Sequence, residues 1–236
     1  MSQGRSRVAI ITGGSHGIGA GLVQGYRQHG WSVVASARMI KPSDDPGIVT
    51  VAGDITDPAT ADRIVTAARD HFGQIDTLVN DAGVYISKPF TEYTAADYAL
   101  VTGVNLGGFF WLTQLVVTEM LRHGRGHIVN ISATIAERPD SATPAVLTAL
   151  TKAGLAAAAR SLAVEYASRG IRVNAVAPGV IETALHPPGA SPDDHLPPLG
   201  RLGQVSDIVD AILFLESAPY ITGEILHVDG GQFAGH

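Results

Sequence analysis

The 236-residue chain contains no cysteine. Disulfides and thiolate-ligated metals are therefore excluded, and a reducing, cytoplasmic setting is the expectation. It also lacks any run of basic residues, and its net charge is −6. Neither nucleic acid nor an anionic membrane surface is an expected partner. No apolar stretch reaches about 18 residues without polar breaks, so no membrane span is expected. Residues 1–7 are polar and lead directly into an apolar strand, unlike a signal peptide. Aromatic residues are few, and the six tyrosines and two tryptophans do not outline a pocket. No metal site is read.

What is present is apolar. Hydrophobic residues make up 45% of the chain and mean hydropathy is +0.18, enough for one large core, so residues 1–236 are expected to form a single domain. Strand-like and helix-like segments alternate throughout. Residues 8–12 are a continuous apolar run closed by glycine, as in a strand buried on both faces. A helix follows at 17–29, then strands at 31–37 and 48–52. Residues 58–72 read as a helix opened by Asp57 as N-cap and Pro58 at the first helical position. Further strands are expected at 75–80, 127–132, 171–177 and 224–228, with long helices at about 95–122 and 145–168. This alternation predicts an α/β fold: a Rossmann-type, doubly wound parallel sheet of about seven strands, with helices on both faces. Residues 186–200 carry five prolines and follow a strand's carboxyl end. A substrate lid at about 184–203 and a plain surface loop both fit that placement.

The first strand ends in Thr12-Gly13-Gly14-Ser15-His16-Gly17-Ile18-Gly19. Glycines at 13, 17 and 19 let the backbone approach a pyrophosphate where a helix N-terminus offers N–H donors. The second strand ends in Ser36-Ala37-Arg38, with no acid to hold ribose hydroxyls. A guanidinium there can clamp a 2′-phosphate, with His16 as a second donor, which favours NADP(H) over NAD(H). Arg38 as a solvated strand-end residue is the alternative.

The glycine spacing resembles the Thr-Gly-x-x-x-Gly-x-Gly motif of the short-chain dehydrogenase/reductase family. Other family signatures follow in order: Asp54-Ile55; Asn80-Asp81-Ala82-Gly83, with Asp81 where the family has a second asparagine; Asn105; the strand 128–132; Pro178-Gly179-Val180-Ile181-Glu182-Thr183; and Asp229-Gly230-Gly231. The resemblance spans essentially the whole chain. It implies an oxidoreductase that moves hydride between a nicotinamide and a small carbonyl or alcohol. Its cofactor contacts would be Gly13, Ser15, His16, Gly17, Ile18, Gly19, Arg38, Asp54, Ile55, Asn80, Ala82, Gly83, Lys152, Pro178, Gly179, Ile181 and Thr183. It also implies a homodimer or homotetramer built on the two long helices.

The family's catalytic set is altered. Asn105 and Lys152 match the family asparagine and lysine. Thr148 stands where the family has its acid tyrosine, and no tyrosine lies between Tyr98 and Tyr166. The position matching the family serine holds Ala133, flanked by Ser132 and Thr134. An aliphatic hydroxyl is a far weaker acid than a phenol. Losing a positioned acid costs about 10²–10⁴-fold. Lys152 is the first candidate to replace it, and Tyr85 the second. Lys88, Glu137, Arg138, Asp140 and His186 are further residues at the same edge. Three classes of function stay open: an oxidoreductase with a modified acid–base set, a cofactor-binding protein without turnover, and a lyase, cyclase or isomerase on the same frame.

Overall fold

The computed structural model describes residues 6–183 and 196–235. Seven strands form one sheet in the order β3-β2-β1-β4-β5-β6-β7, every neighbouring pair parallel. They are β1 (Val8–Thr12), β2 (Ser32–Ala37), β3 (Ile48–Ala52), β4 (Thr77–Asn80), β5 (Gly126–Ile131), β6 (Ile171–Pro178) and β7 (Ile225–Val228). The helices are α1 (Gly17–Gln28), α2 (Pro58–Phe72), α3 (Ala95–Thr102), α4 (Gly108–His123), α5 (Val146–Tyr166) and α6 (Val205–Ser217). The expected doubly wound sheet is therefore present. Strand order reverses between β1 and β4, which opens a crevice at their carboxyl ends where such sheets bind ligands.

Alternation along β1 explains the two helical layers. Ile10 packs on one face with Ile64 of α2, Leu112 and Met120 of α4 and Ala159 of α5. Ile11 packs on the other with Leu22 of α1 and Ile208 and Ile212 of α6. All five residues of β1 are buried, as its unbroken apolar sequence requires.

Local signals set the boundaries. The Asp57 carboxylate accepts from the Ala59 N–H at 3.0 Å, Pro58 opens α2, and Gly73 closes it at φ 74°. The sequence pattern suggested no helix over α6, and it merged α3 and α4 into one rod. A Thr94–Asp97 capping box opens α3, and a Gln204–Asp207 box opens α6. Between α3 and α4 the chain forms a π-helical turn, Gly103–Gly107.

By length and composition, Ala95–His123 would suffice to cross a membrane, with a window of mean hydropathy 1.5. Thr102, Asn105, Thr113 and Gln114 interrupt it, so it is not an apolar run free of polar breaks. Leu112, Val116, Val117 and Met120 within it are instead committed to the core against the sheet.

Candidate active site and cofactor crevice

At the sheet's switch point, β1 runs into the glycine turn. Gly13 and Gly17 adopt φ of 73° and 55°, a region that side-chain-bearing residues avoid. A Cβ on Gly13 would lie 3.1 Å from the Ala82 amide nitrogen, so the turn can close on the 80–83 segment only without one. The Thr12 hydroxyl fixes that segment, accepting from the Asp81 and Ala82 N–H groups at 3.0 Å each. His16 is the N-cap of α1, makes no side-chain cap bond, and no acid lies in the first helical turn.

The crevice above this turn is a cavity of about 500 Å³. Gly13, Ser15, His16, Arg38, Asp54, Ile55, Ala82 and Gly83 of the expected contacts line it, joined by Thr12, Ser36, Met39, Gly53, Val84 and Val104. Arg38 and Asp54 face each other electrostatically across the strand ends. The Asp54 carboxyl is held below its ordinary value, first by hydrogen bonds from Thr56 and then by the Arg38 charge.

Other expected contacts lie elsewhere. The Asn80 amide donates to Thr113 Oγ1 and Asn130 Oδ1 at 3.0 Å each, which ties β4 to α4 and β5. Ile181 is buried in the core cluster beside α1 and α6 and bridges to Gly203. Ile18 packs on the same cluster, and Gly19 packs against Gly13 and the Asp81 carboxylate. Gly179 follows Pro178 at the end of β6, where its N–H donates to the Val228 carbonyl; a Cβ there would meet Asp229 at 2.9 Å. Thr183 comes up to the turn, 3.5 Å from the position of a Cβ on Gly17. Residues 184–195 of the expected lid, including His186, lie outside the described residues.

The catalytic candidates converge on the end of α5. The π-helical turn carries Asn105, whose amide clips the Val84 peptide. Its Oδ1 accepts from the Val84 N–H at 2.8 Å, and its Nδ2 donates to the Val84 carbonyl at 3.1 Å and to Thr151 Oγ1 at 3.0 Å. Thr151 thus joins Asn105 to α5, a link that no sequence motif announces. Lys152 is buried, and its ammonium donates to the Ile131 carbonyl at 2.7 Å. The same nitrogen lies 3.1 Å from where a Cβ on Gly83 would sit. Burial lowers the Lys152 pKa to about 8, against the opposing pull of Asp81.

Thr148 is buried one turn before Lys152, and its hydroxyl lies 3.5 Å from the Ile86 N–H. The Ser132 hydroxyl donates to the Lys152 backbone carbonyl at 2.9 Å, and Thr134 donates to Asp229 at 3.0 Å. The Tyr85 phenol is engaged with Ser87, and burial raises its pKa, making it a weaker acid. Lys88 is paired to Asp97 at 2.7 Å. Glu137 faces His227 at 3.3 Å, Arg138 donates to the Phe233 carbonyl, and Asp140 accepts from the Ala142 N–H.

A strand, a left-handed glycine turn and a helix N-terminus at a topological switch point, opening toward a buried lysine, define a Rossmann-type dinucleotide oxidoreductase. Comparison with known proteins agrees. A family model described as enoyl-(acyl carrier protein) reductase matches residues 13–232. The 3-oxoacyl-(acyl-carrier-protein) reductase FabG of Escherichia coli K12 is 32% identical over 246 residues, covering 96% of this chain and 97% of that protein. The FabG of Thermotoga maritima is 34% identical over 242 residues, covering 95% and 97%. Among solved structures, 3-ketoacyl-(acyl-carrier-protein) reductase from Brucella melitensis complexed with NADH has a TM-score of 0.87 at 31% identity, covering 96% and 98%. ElxO with NADP bound has a TM-score of 0.89 at 28% identity, covering 97% and 99%. The chain belongs to the short-chain dehydrogenase/reductase family, and it is an oxidoreductase that uses a nicotinamide cofactor.

Proposed function

We propose that the protein interconverts a small carbonyl and its alcohol with NADP(H), using Lys152 as the proton donor and acceptor in place of the family phenol. The observation that carries this reading is the position and state of the Lys152 ammonium. It is buried, it stands beside Gly83, which lines the crevice, and its pKa of about 8 lies near neutral pH. A bound nicotinamide supplies or accepts the hydride. Lys152 in its charged form donates a proton to the carbonyl oxygen during reduction, and the neutral amine accepts one during oxidation. Asn105 fixes the Val84 peptide that walls the site and, through Thr151, the turn of α5 carrying Lys152. Thr148 orients the substrate oxygen or a water. Arg38 and His16 bind the 2′-phosphate.

A homo-oligomer is part of the proposal. Phe110 and Trp111 on α4 and Val146 and Leu150 on α5 are exposed apolar side chains, the composition of a helix face that pairs. Light scattering after size exclusion would read its size.

The decisive experiment titrates the protein with NADPH and NADH in parallel, following nicotinamide fluorescence, then screens carbonyl compounds with the preferred cofactor. Tighter NADPH binding with turnover supports the reading. NADH preference would overturn the Arg38 assignment, and binding without turnover on any carbonyl would overturn the Lys152 assignment.

A further inference from the structure

Asp81 is the residue by which the crevice departs from its family pattern, and its role rests on the reading of that crevice as a nicotinamide-cofactor site. Its Oδ2 lies 2.7 Å from the positions a Cβ would take on Gly13 and on Gly19. The carboxyl is therefore lodged directly beneath the glycine turn, one backbone layer from the cavity that Gly13, Ser15 and His16 line. The Gly19 backbone N–H donates to it. Gly19 is the third residue of α1, whose N-cap His16 provides no side-chain cap. The missing cap thus comes from a carboxylate on the far side of the turn. It occupies one of the orphan donors and the positive dipole end on which a cofactor's pyrophosphate would rest.

We propose that Asp81 makes cofactor binding proton-linked: the carboxyl caps α1 as an anion in the free protein and takes up a proton when the dinucleotide's pyrophosphate settles on the same turn. Two anions cannot share one helix terminus across a single layer of backbone without mutual repulsion, and protonation removes it. A neutral Asp81 accepts from Gly19 through its carbonyl oxygen and leaves the dipole to the phosphates.

The surroundings allow the change. Removal from solvent brings the Asp81 pKa up to about 7, against the Lys152 ammonium and the Gly19 bond, which pull it down. From α5, Lys152 is the charge acting on it. The β1–α1 turn contributes backbone, the Ser15 hydroxyl and His16. The β4 end contributes its own amide, bonded to Thr12 Oγ1. Arg38 and Asp54 stand at the ends of β2 and β3. Above neutral pH the free enzyme therefore holds Asp81 mainly as the anion, and an added anion moves it to the protonated form.

The test measures calorimetric binding of NADH and NADPH between pH 6 and 8.5, each in two buffers of different ionisation enthalpy. NADH is included because the 2′-phosphate itself titrates near about 6. The wild-type protein should take up a fraction of a proton per NADH at pH 7.5, and its affinity should fall roughly tenfold from pH 6 to pH 8.5. Asp81→Asn, which keeps an acceptor oxygen for Gly19, should bind NADH at pH 8.5 about as tightly as at pH 6, with the uptake abolished. Cofactor binding by the wild type without proton uptake overturns the proposal and leaves the cofactor site standing. Uptake that persists in Asp81→Asn assigns the proton to Lys152 or His16 and also overturns it. Should that variant not fold, Asp81→Ser, which also keeps an acceptor oxygen for Gly19, takes its place with the same two outcomes. Binding of neither dinucleotide at any pH overturns the cofactor reading and this inference together.

Discussion

Ser132 and Lys152 stitch β5 to α5 with opposed hydrogen bonds: the Ser132 hydroxyl donates to the Lys152 carbonyl at 2.9 Å, and the Lys152 ammonium donates to the Ile131 carbonyl at 2.7 Å. Both partners are buried. Ser132 therefore fixes the backbone from which the lysine reaches, and its proton is spent on a carbonyl. Ser132→Ala is expected to cost about 1 kcal/mol of stability and less than roughly tenfold in kcat/KM, through a less fixed Lys152. Urea unfolding and steady-state kinetics on one preparation check both. A loss above about 10² with normal stability would show that the hydroxyl touches the substrate.

If Lys152 carries the proton as proposed, the reaction has opposite pH limbs in its two directions. Reduction needs the ammonium, so its kcat/KM should hold below pH 8 and fall as pH rises through about 8. Oxidation needs the free amine, so it should rise over the same interval. Lys152→Met should remove the limb and reduce turnover by about 10²–10⁴-fold. A profile flat from pH 6 to 9.5 in both directions would remove Lys152 from the chemistry.

The frame was legible because each of its signals is local. The run of residues 8–12, the cap at Asp57-Pro58 and the glycine turn at 13–19 follow from burial, capping and backbone freedom, and their order along the chain implies the parallel sheet. The helix α6 escaped notice because its capping residue is Gln204, outside the usual Ser/Thr/Asp/Asn set, and its partner Asp207 is read only in combination. The site was legible as a group of residues but not in its internal wiring. Asn80 and Ile181 matched family positions, yet their side chains serve the sheet and the core, because motif identity does not report where a side chain points. Thr12, Thr151 and Asp81 went unassigned for the opposite reason. Their roles come from partners up to 70 residues away, which no periodicity reveals.

At the amino ends of the strands, Glu216 organises a second buried network. Its Oε1 accepts from Tyr26 at 2.8 Å, Thr77 at 3.0 Å and His127 at 2.9 Å. Asn174 donates to His127 Nε2 and accepts from the Glu224 N–H, so His127 carries its proton on Nδ1. Burial alone would raise the Glu216 pKa, but the hydrogen bonds from His127, Tyr26 and Thr77 bring it below its ordinary value. The carboxylate's contribution is therefore complete above about pH 4.5 and is lost as pH falls through the lowered folded value. Glu216→Ala strands three buried donors and should destabilise the protein by about 3 kcal/mol at pH 7. Denaturant unfolding at pH 7 and pH 4 tests this. The gap between wild type and variant should narrow at the lower pH, and a gap independent of pH would assign the loss to packing rather than charge.

On the proposed reading, cofactor preference turns on Arg38. It lines the crevice where β2 ends, its charge reaches Asp54 across the gap, and no acid is present at that strand end to receive ribose hydroxyls. A charge-assisted pair with a 2′-phosphate contributes about 1.5–3 kcal/mol. Arg38→Ala should therefore weaken NADPH binding by roughly 10- to 100-fold while leaving NADH within about threefold. Arg38→Asp should go further, repelling the phosphate and offering NADH a carboxylate for its ribose, so that the preference inverts. Raising ionic strength from 50 to 500 mM should weaken NADPH more than NADH in the wild type and equalise the two salt dependences in Arg38→Ala. Equal losses for both dinucleotides in Arg38→Ala would mean that the guanidinium holds the adenine pocket's shape, acting through Asp54, and that 2′-phosphate recognition falls to His16 and Ser15.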